Sequence, residues 1–415
     1  MTFTLEPSVT SKHFTRGTHR TIDPAETLRR ACELAPQVGI TRVANVTGLD
    51  RIGVPVVAVH RPNSRSLVVS QGKGLDLVAA KVSGMMEAIE SDHAERPQLP
   101  LRLESYEELS RRLSVVNVAT LPRISTGTFS PGKRILWCEG RNLTTAEPCW
   151  VPYELVHTDF TIPLPSGSGC FMMSSNGLAS GNHQLEAISH GICELVERDA
   201  LALWELLGGA RQPERRLDPS TIDDPWCQQI LARFSAAEID FGIWDATSDV
   251  GLATFVCFIA DRPGVSSEVH SSHGSGCHPS REIALLRAIT EAAQTRLTYI
   301  AGARDDADHR FFARARSITR IEEFRANLER SHGATMRNFT TVPTYAATTF
   351  EQDVAWLLAC LRRVGLEEVI AVDLSRPELP VSVVRVIIPG LEGLCDAPGY
   401  VPGARATALQ ARMSQ

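Results

Sequence analysis

The chain has 415 residues, of which 43% are hydrophobic and 22% are charged, and its mean hydropathy is -0.07. This is the composition of an ordinary globular protein, with enough residues for one large domain or two to three smaller ones. The formal net charge is -6 and no block of basic residues occurs, so we do not expect a nucleic-acid partner.

The sequence also indicates where in the cell we expect the protein to be located. The N-terminus, MTFTLEPSVTSKHF, has no apolar run of a signal peptide, and no segment approaches the roughly 18 apolar residues of a membrane span. The ten cysteines form no CxxC pair and no Cys/His cluster at zinc spacing. We therefore expect reduced thiols, no membrane association and a cytoplasmic protein.

Helices and strands are predicted from the first residues onward. A helix should occupy residues 23–35, with Asp23 as its N-cap and Pro24 at its first position. Two strands follow in ITRVANVTGLDRIGVPVVAVHRP, then SLVVSQGKG runs from strand to loop, and residues 76–94 are predicted to be helical. The segment RILWCEGRNLTTAEPCWVPYELVH has the pattern of a β-hairpin.

In the second half, a loop rich in Pro, Gly and Ser leads to a helix that contains EAISHGICELVERDA, residues 186–200. Strands are predicted at IDFGIWDAT, ATFVCFIADR, EEVIAVDLS and SVVRVIIPG, and long helices at residues 280–302 and 351–364. Because strands and helices alternate without a long linker, we expect one α/β or α+β unit.

One pattern recurs in three of the predicted helices. Each carries three polar residues at positions i, i+4 and i+7, which places them along one helical face. A small residue follows the first member each time, and a Gly-rich segment (SQGKG, SNGLASGN or HGSGCH), expected to be a loop, precedes each helix. The triplets are Ser83, Glu87 and Glu90; His190, Glu194 and Glu197; and Arg287, Glu291 and Gln294.

The carboxylates of Glu194 and Glu197 need an explanation, since they lie beside apolar residues of the same helix. A surface salt bridge between Glu194 and Arg198 is one interpretation. The recurrence of the triplet favours another, in which facing carboxylates hold Mg2+ and helix starts behind glycine loops face phosphate groups. No Walker A motif is present. Five basic side chains could neutralise further phosphate charge: Lys12, Arg20, Lys73, Arg198 and Arg296.

These motifs resemble those of the YcaO family. The matching segments are GKGLDLVAAKVSGMMEAIES, NGLASGNHQLEAISHGICELVERDA, REIALLRAITEAAQTR and VRVIIPGLEG. The resemblance implies a YcaO-type α/β (α+β) fold whose ATP site is built from helices and Gly-rich loops, without a P-loop. It divides the chain into residues 1–64, an N-terminal segment integral to the fold, residues 65–395, the YcaO domain, and residues 396–415, a C-terminal tail.

The resemblance also implies which residues bind the cofactors ATP and Mg2+. The sequence departs from the family pattern after Glu90, where Ser91 stands in place of the usual arginine, and no catalytic residue is assigned. The expected ATP-binding residues are Lys12, Lys73, Ser83, Asn182, Arg198, Gln294 and Arg296, and the expected metal ligands are Glu87, Glu90, Glu186, Glu194 and Glu197.

YcaO proteins characteristically activate a peptide backbone amide by phosphorylating its oxygen. The ending PGYVPGARATALQARMSQ lacks the PxPxP tail common in azoline-forming cyclodehydratases and resembles YcaO proteins that work with a TfuA partner. We therefore expect thioamide formation from sulfide on a precursor peptide or protein, as in RiPP biosynthesis, with a TfuA-like partner. An azoline-forming cyclodehydratase acting on Cys, Ser or Thr is the first alternative. The second is a non-catalytic accessory factor for ribosomal-protein methylthiolation. Dimers are common among relatives, so a homodimer is a further candidate.

Cysteines and histidines near the glycine segments add candidates for chemistry. Cys170 and Cys277 could carry sulfur, although small structural thiols are the simpler interpretation. His183, His273 or His278 could act as a base, although a solvated loop histidine needs no function.

Overall fold

Three antiparallel sheets carry the helices of the chain, in a computed structural model that describes residues 9–264, 271–307, 309–330 and 335–414. The strands are β1 (Arg42–Asn45), β2 (Val56–His60), β3 (Val69–Lys73), β4 (Leu101–Ser105), β5 (Arg134–Asn142), β6 (Pro148–Pro152), β7 (Leu178–Gly181), β8 (Ile239–Asp245), β9 (Ala253–Asp261), β10 (Ser271–His278), β11 (Ile370–Asp373) and β12 (Ser382–Ile387). The helices are α1 (Pro24–Leu34), α2 (Leu77–Glu95), α3 (Tyr106–Ser110), α4 (Gln184–Leu206), α5 (Pro225–Ala236), α6 (Arg281–Ala301), α7 (His309–Ala315), α8 (Ile318–Arg330), α9 (Phe350–Arg363) and α10 (Ala404–Met413).

The sheets have the strand orders β1-β2-β3, β10-β9-β8 and β4-β5-β11-β12-β7, and β6 pairs with β5. In each sheet, one edge strand is followed along the chain by a long helix. Strand β3 is followed by α2, β7 by α4 and β10 by α6. Each of these three helices begins at a side-chain cap, provided by Asp76, His183 and Ser280. The three polar triplets thus lie on three equivalent strand–helix units.

The glycines of these units lie mainly in the strands, which corrects the prediction that they form loops. Gly72 is in β3, and Gly274 and Gly276 are in β10. A Cβ atom at Gly72 would overlap backbone atoms of α2, and one at Gly274 or Gly276 would overlap backbone atoms of α6. The glycines therefore allow each helix to pack closely on its own strand, and they are not available as a phosphate-binding loop.

Hydrogen bonds join each unit to the next one. From β3, the carbonyl oxygen of Gln71 accepts a bond of 2.7 Å from Nε2 of Gln294 in α6. From β10, Oγ of Ser275 donates to Oε1 of Glu197 in α4 at 2.7 Å. From β7, Oγ of Ser180 donates to a backbone carbonyl of α2 at 3.5 Å. The contacts run from unit to unit until they return to the first, so the three units form a closed ring.

The fold confirms the mixed α/β class and most of the predicted elements. Asp23 caps α1 by accepting from the backbone N–H of Ala25 at 2.8 Å, and β5 and β6 form the predicted hairpin. Strands β4, β7 and β10 were not predicted. Among the helices in the described part of the chain, none combines the length and the apolar character needed to cross a bilayer.

We predict that replacing Gly274 by Ala destabilises the fold. The new methyl group would meet backbone atoms of Ala288, Glu291 and Ala292, which cannot move without separating α6 from β10. Overpacking of this kind lowers the free energy of unfolding by about 1–3 kcal/mol, which denaturant-induced unfolding would measure. Gly48→Ala is the matched control, because a Cβ at Gly48 meets no atom within 4 Å. Equal stability of the two variants would contradict this packing.

Candidate functional site

The carboxylates of Glu87, Glu90 and Glu194 face a shared space between α2 and α4. Glu87 is open to solvent and Glu90 is half-buried, whereas the side chain of Glu194 is 20% exposed. Oε2 of Glu194 accepts a hydrogen bond of 3.2 Å from the backbone N–H of Gly177. Water therefore reaches a recess whose walls carry several like charges.

The pKa values of the three carboxyls record this crowding. Although water reaches Glu87, protein encloses it on most sides, and this burial raises its pKa to about 7, with a contribution from Glu194. Burial raises the pKa of Glu90 well above its ordinary value, and the charges of Glu194 and Glu87 add to the shift. Burial and the neighbouring Glu197 also raise the pKa of Glu194. A cation in the recess would reverse these shifts, because it would offset the repulsion between the ionised groups.

Next to the recess, a network of acidic and basic side chains joins the second and third triplets. Ser275 bridges the two helices, since its Oγ donates to Glu197 at 2.7 Å and its backbone N–H donates to Oε1 of Glu291 at 3.3 Å. Nζ of Lys73 lies 2.6 Å from Oε2 of Glu291. Arg198 lies 3.4 Å from Glu197 and 3.9 Å from Glu194.

The network leaves two cations next to the carboxylate recess. Lys73 also donates to Oε1 of Gln294 at 3.0 Å, so its ammonium group is held between two residues of the third triplet. Its side chain is 18% exposed, and that of Arg198 is 27% exposed. Both cations can therefore contact a polyanionic ligand while they remain fixed by the protein.

Sequence reasoning missed Arg385, a fully buried arginine of β12. Its guanidinium donates to the backbone carbonyls of Val156, Ser174 and Asn176 at 2.7–3.2 Å. Burial lowers its pKa to about 10, and the charges of Glu194 and Glu90 oppose that shift. Arg385 thus supplies a buried positive charge near the carboxylates, where the expected arginine after Glu90 is replaced by Ser91. An arginine within the apolar run VRVIIPG was the available signal.

Two of the expected ligands, Glu186 and Lys12, are engaged away from the recess. Oε2 of Glu186 accepts from the backbone N–H and the hydroxyl of Thr21 at 3.0 and 2.9 Å, and Oε1 lies 3.5 Å from Arg20. Lys12 is buried and forms an ion pair of 2.6 Å with Asp353. Both side chains are therefore paired with residues outside the carboxylate recess.

Arg296 and Asn182 are likewise engaged in structural contacts. Arg296 is 3% exposed, and it donates to both carboxylate oxygens of Asp261 at 2.9 and 3.1 Å and to Asp50 at 3.1 Å. This doubly paired guanidinium ties α6 to β9 and to the loop after β1. Asn182 is half-buried and accepts from the hydroxyl of Thr27 at 3.2 Å. Ser83, also half-buried, precedes Glu87 by one turn of α2.

The donor set fits a hard divalent cation, although the ligands do not converge on one point. Within the described ranges, no three His, Cys, Asp or Glu side chains form a group that could hold a metal ion. Oxygen ligands are those that Mg2+ prefers, and Mg2+ usually combines one or two carboxylates with phosphate oxygens and water. Glu87, Glu90, Glu194 and Glu197 are the residues that would hold the ion together with a nucleotide.

The C-terminal segment closes the site beside Arg198. The next residue of α4, Asp199, is fully buried and accepts two bonds from Arg405 at 2.8 and 3.0 Å and one from the backbone N–H of Glu392 at 3.0 Å. The carboxylate of Glu392 in turn accepts from the backbone N–H groups of Gly403 and Ala406 at 2.8 Å each. The segment that includes residues 392–406 therefore forms a wall of the site.

Comparison with known proteins gives the same picture. A family model described as a YcaO cyclodehydratase that binds ATP and Mg2+ matches residues 71–392. A protein in the 3′ region of tfuA in Rhizobium leguminosarum bv. trifolii is 37% identical over 381 residues, which are 90% of this chain and 88% of that protein. A protein of Methanothermobacter thermautotrophicus is 35% identical over 376 residues, which are 89% of this chain and 94% of that protein.

Two solved structures share the fold. A heterocyclase in complex with substrate and cofactor superposes with a TM-score of 0.81 at 21% identity; all of this chain is covered, and it spans 57% of that longer protein. The YcaO protein of Methanopyrus kandleri bound with AMPPCP and Mg2+ has a TM-score of 0.71 at 23% identity, with 95% of this chain and 99% of that chain covered.

We predict that Glu194→Gln raises the melting temperature of the metal-free protein at pH 8 and abolishes its stabilisation by Mg2+ with AMPPCP. The folded pKa values of Glu87, Glu90 and Glu194 are raised, so their contribution to stability is present at low pH and is lost as pH rises through those values. Removing one charge relieves the repulsion, and Gln still accepts from Gly177.

Thermal unfolding with and without the ligand measures both effects. Glu107→Gln, at an exposed carboxylate of α3, is the control and should behave like the unmodified protein. A Glu194→Gln variant that Mg2+ and AMPPCP stabilise as strongly as the parent would rule out this site.

Proposed function

Because the chain belongs to the YcaO family, we propose that it activates a backbone amide of a peptide or protein by ATP-dependent O-phosphorylation and converts that amide to a thioamide with sulfide. We further propose that a TfuA-like partner protein takes part in supplying the sulfide. The observation that carries this choice is the 37% identity, over 90% of the chain, to a protein whose gene lies in the tfuA 3′ region.

The chemistry begins with a poor electrophile and a poor leaving group. When sulfide adds to the carbonyl carbon, an oxyanion forms, and this oxygen then receives the γ-phosphoryl group of ATP. Phosphate leaves with the former carbonyl oxygen, and the carbon–sulfur double bond remains. In this proposal Arg198 and Lys73, which lie next to the carboxylate recess, offset charge on the transferring group. Mg2+, when held by Glu87, Glu90, Glu194 and Glu197, would supply further charge neutralisation.

The second candidate is azoline formation, favoured by the similarity of the fold to a heterocyclase with a TM-score of 0.81. It uses the same activation of the amide oxygen, but the nucleophile is the side chain of a neighbouring Cys, Ser or Thr. A non-catalytic accessory role is less well supported, because Glu87, Glu90, Glu194, Glu197 and Arg198 are all kept. The two enzymatic candidates therefore differ in the nucleophile, which is sulfide in thioamide formation and a substrate side chain in azoline formation.

We predict that deleting the gene from its source organism removes a peptide or protein modification in which one oxygen is replaced by sulfur. Comparing the peptides and proteins of the parent and deletion strains by mass spectrometry measures this exchange directly. Restoring the gene should restore the modification, and restoring it with Glu194→Gln should not.

Two other outcomes of this experiment would contradict thioamide formation. Loss of a modification that corresponds to removal of one water from a Cys-, Ser- or Thr-containing peptide would replace thioamide formation by azoline formation. No change in any backbone modification would contradict both enzymatic candidates and favour the accessory role.

A further inference from the structure

Both candidate reactions need a group that removes a proton, and the proposed function already uses the carboxylates of the recess to hold the metal. In thioamide formation the proton comes from the sulfur that has added to the carbon, and in azoline formation it comes from the substrate. Glu87, Glu90 and Glu194 are the groups expected to bind the metal. The base must therefore come from another wall of the site, near Arg198.

His273 in β10 lies on the site face of its strand. Side chains alternate along a strand, so His273, Ser275 and Cys277 point to the same side. The hydroxyl of Ser275 donates to Glu197 at 2.7 Å, so this side of β10 faces α4, whereas Gly274 and Gly276 on the opposite side pack against α6. His273 is therefore two residues along the strand from Ser275, on the side that faces Glu197.

The imidazole of His273 is accessible and held in place. It is exposed to solvent, and its ring stacks on Phe258 of β9 with the centroids 5.4 Å apart and an interplanar angle of 29°. Phe258 in turn packs edge-on against the buried Trp244. An accessible ring on a rigid aromatic support can meet a substrate in a fixed orientation.

Charged groups from four different parts of the chain act on this ring. They belong to α4, α6, α8 and the C-terminal wall, and they are Arg198, Glu291, Arg320 and Asp396. His273 therefore belongs to a cluster of charged groups that includes Arg198, whose guanidinium also lies 3.9 Å from Glu194 of the carboxylate recess. The cluster places the imidazole close to the cation that we assign to the transferring phosphoryl group.

The other histidines near the site are committed to different contacts. His183 caps α4, and its Nδ1 accepts from the backbone N–H of Leu185 at 3.2 Å. His190 contacts Arg287 at 3.1 Å through its Nε2. His278 packs edge-on against His19, with the ring centroids 5.1 Å apart. His273 thus differs from these three in that its ring stacks on an apolar side chain, Phe258, and the charge of Arg198 acts on it.

The electrostatic surroundings keep the ring in the form that can accept a proton. Although water reaches the ring, protein atoms surround much of it, and this burial lowers the pKa of His273 below its ordinary value; Arg320 adds to this effect, whereas Glu291 and Asp396 oppose it. A neutral imidazole is therefore the dominant form at neutral pH. A base of this kind commonly contributes about 10²–10⁴-fold to the rate of a proton-transfer step.

We propose that His273 is the general base of the amide-modifying reaction, an inference that rests on the proposed function. When the phosphorylated oxygen leaves with the electron pair of its bond to carbon, the S–H bond of the added sulfur breaks. The S–H electron pair forms the carbon–sulfur double bond, and the proton moves to the unprotonated ring nitrogen of His273. The imidazolium then returns this proton to water, so no further reactant is needed.

The test uses the full chain and the substrate identified by the deletion experiment, in single-turnover reactions with ATP, Mg2+ and sodium hydrosulfide. We expect His273→Gln to slow modification by about 10²-fold or more, with unchanged affinity for Mg2+ and AMPPCP. The rate of the unmodified protein should fall as the pH drops through the pKa of the imidazole. Free imidazole should restore part of the activity of His273→Ala, and His60→Gln, on the distant strand β2, should react at the normal rate.

Two results would overturn the assignment. One is a His273→Gln rate within twofold of the unmodified protein. The other is a slow His273→Ala variant that imidazole does not rescue, which would give His273 a structural role. Neither result depends on which product forms. The reaction of the unmodified protein identifies the product from the mass of the modified substrate, so a failure of thioamide formation would be detected in that reaction.

Discussion

The closed ring of three strand–helix units is the constraint on which the rest of the structure depends. Each unit consists of an edge strand and the helix that follows it, and polar contacts join the strand to the helix of a neighbouring unit. The contacts are those of Gln71 with Gln294, Ser275 with Glu197, and Ser180 with the backbone of α2. Because the ring closes, the three polar triplets face one another although they are far apart in sequence.

Close packing inside each unit makes this arrangement possible. Gly72, Gly274 and Gly276 remove the Cβ atoms that would otherwise push the helices away from their strands. The helices are thereby held rigidly enough to keep several carboxylates near one another in a partly enclosed space. The free-energy cost of burying these carboxylates and of holding them near one another appears as the raised pKa values of Glu87, Glu90 and Glu194. A site of this type is preorganised for a ligand that brings positive charge together with phosphate groups.

The helices and the triplets could be predicted from the sequence, because the spacing i, i+4, i+7 depends only on helix geometry. The family resemblance and the absence of a P-loop could also be read from the motifs. The strand β10 could not, since Gly274 and Gly276 have low strand propensity and only their packing against α6 explains them.

Ion pairs between residues that are distant in sequence could not be predicted either. Arg296 has the residue type of a phosphate ligand, yet Asp50 and Asp261 surround it, and Asp353 similarly holds Lys12. Local pattern cannot reveal such pairs, because they form only when separate elements pack together. For the same reason, the buried charge of Arg385 and the bridging role of Ser275 became visible only in the fold. The roles of all the expected site residues toward ATP and Mg2+, including those of Lys12, Glu186, Asn182 and Arg296, stay predictions.

The central claim is that the facing carboxylates form one site whose repulsion a metal–nucleotide complex relieves. Calorimetric titration of the protein with Mg2+ and AMPPCP at pH 7, in two buffers of different ionisation enthalpy, measures the protons exchanged on binding. The account predicts net proton release from the protein, since binding lowers the raised pKa values of Glu87 and Glu90. It also predicts no proton release for Glu194→Gln, because that variant should not bind the complex. Binding heats that are the same in both buffers would contradict it.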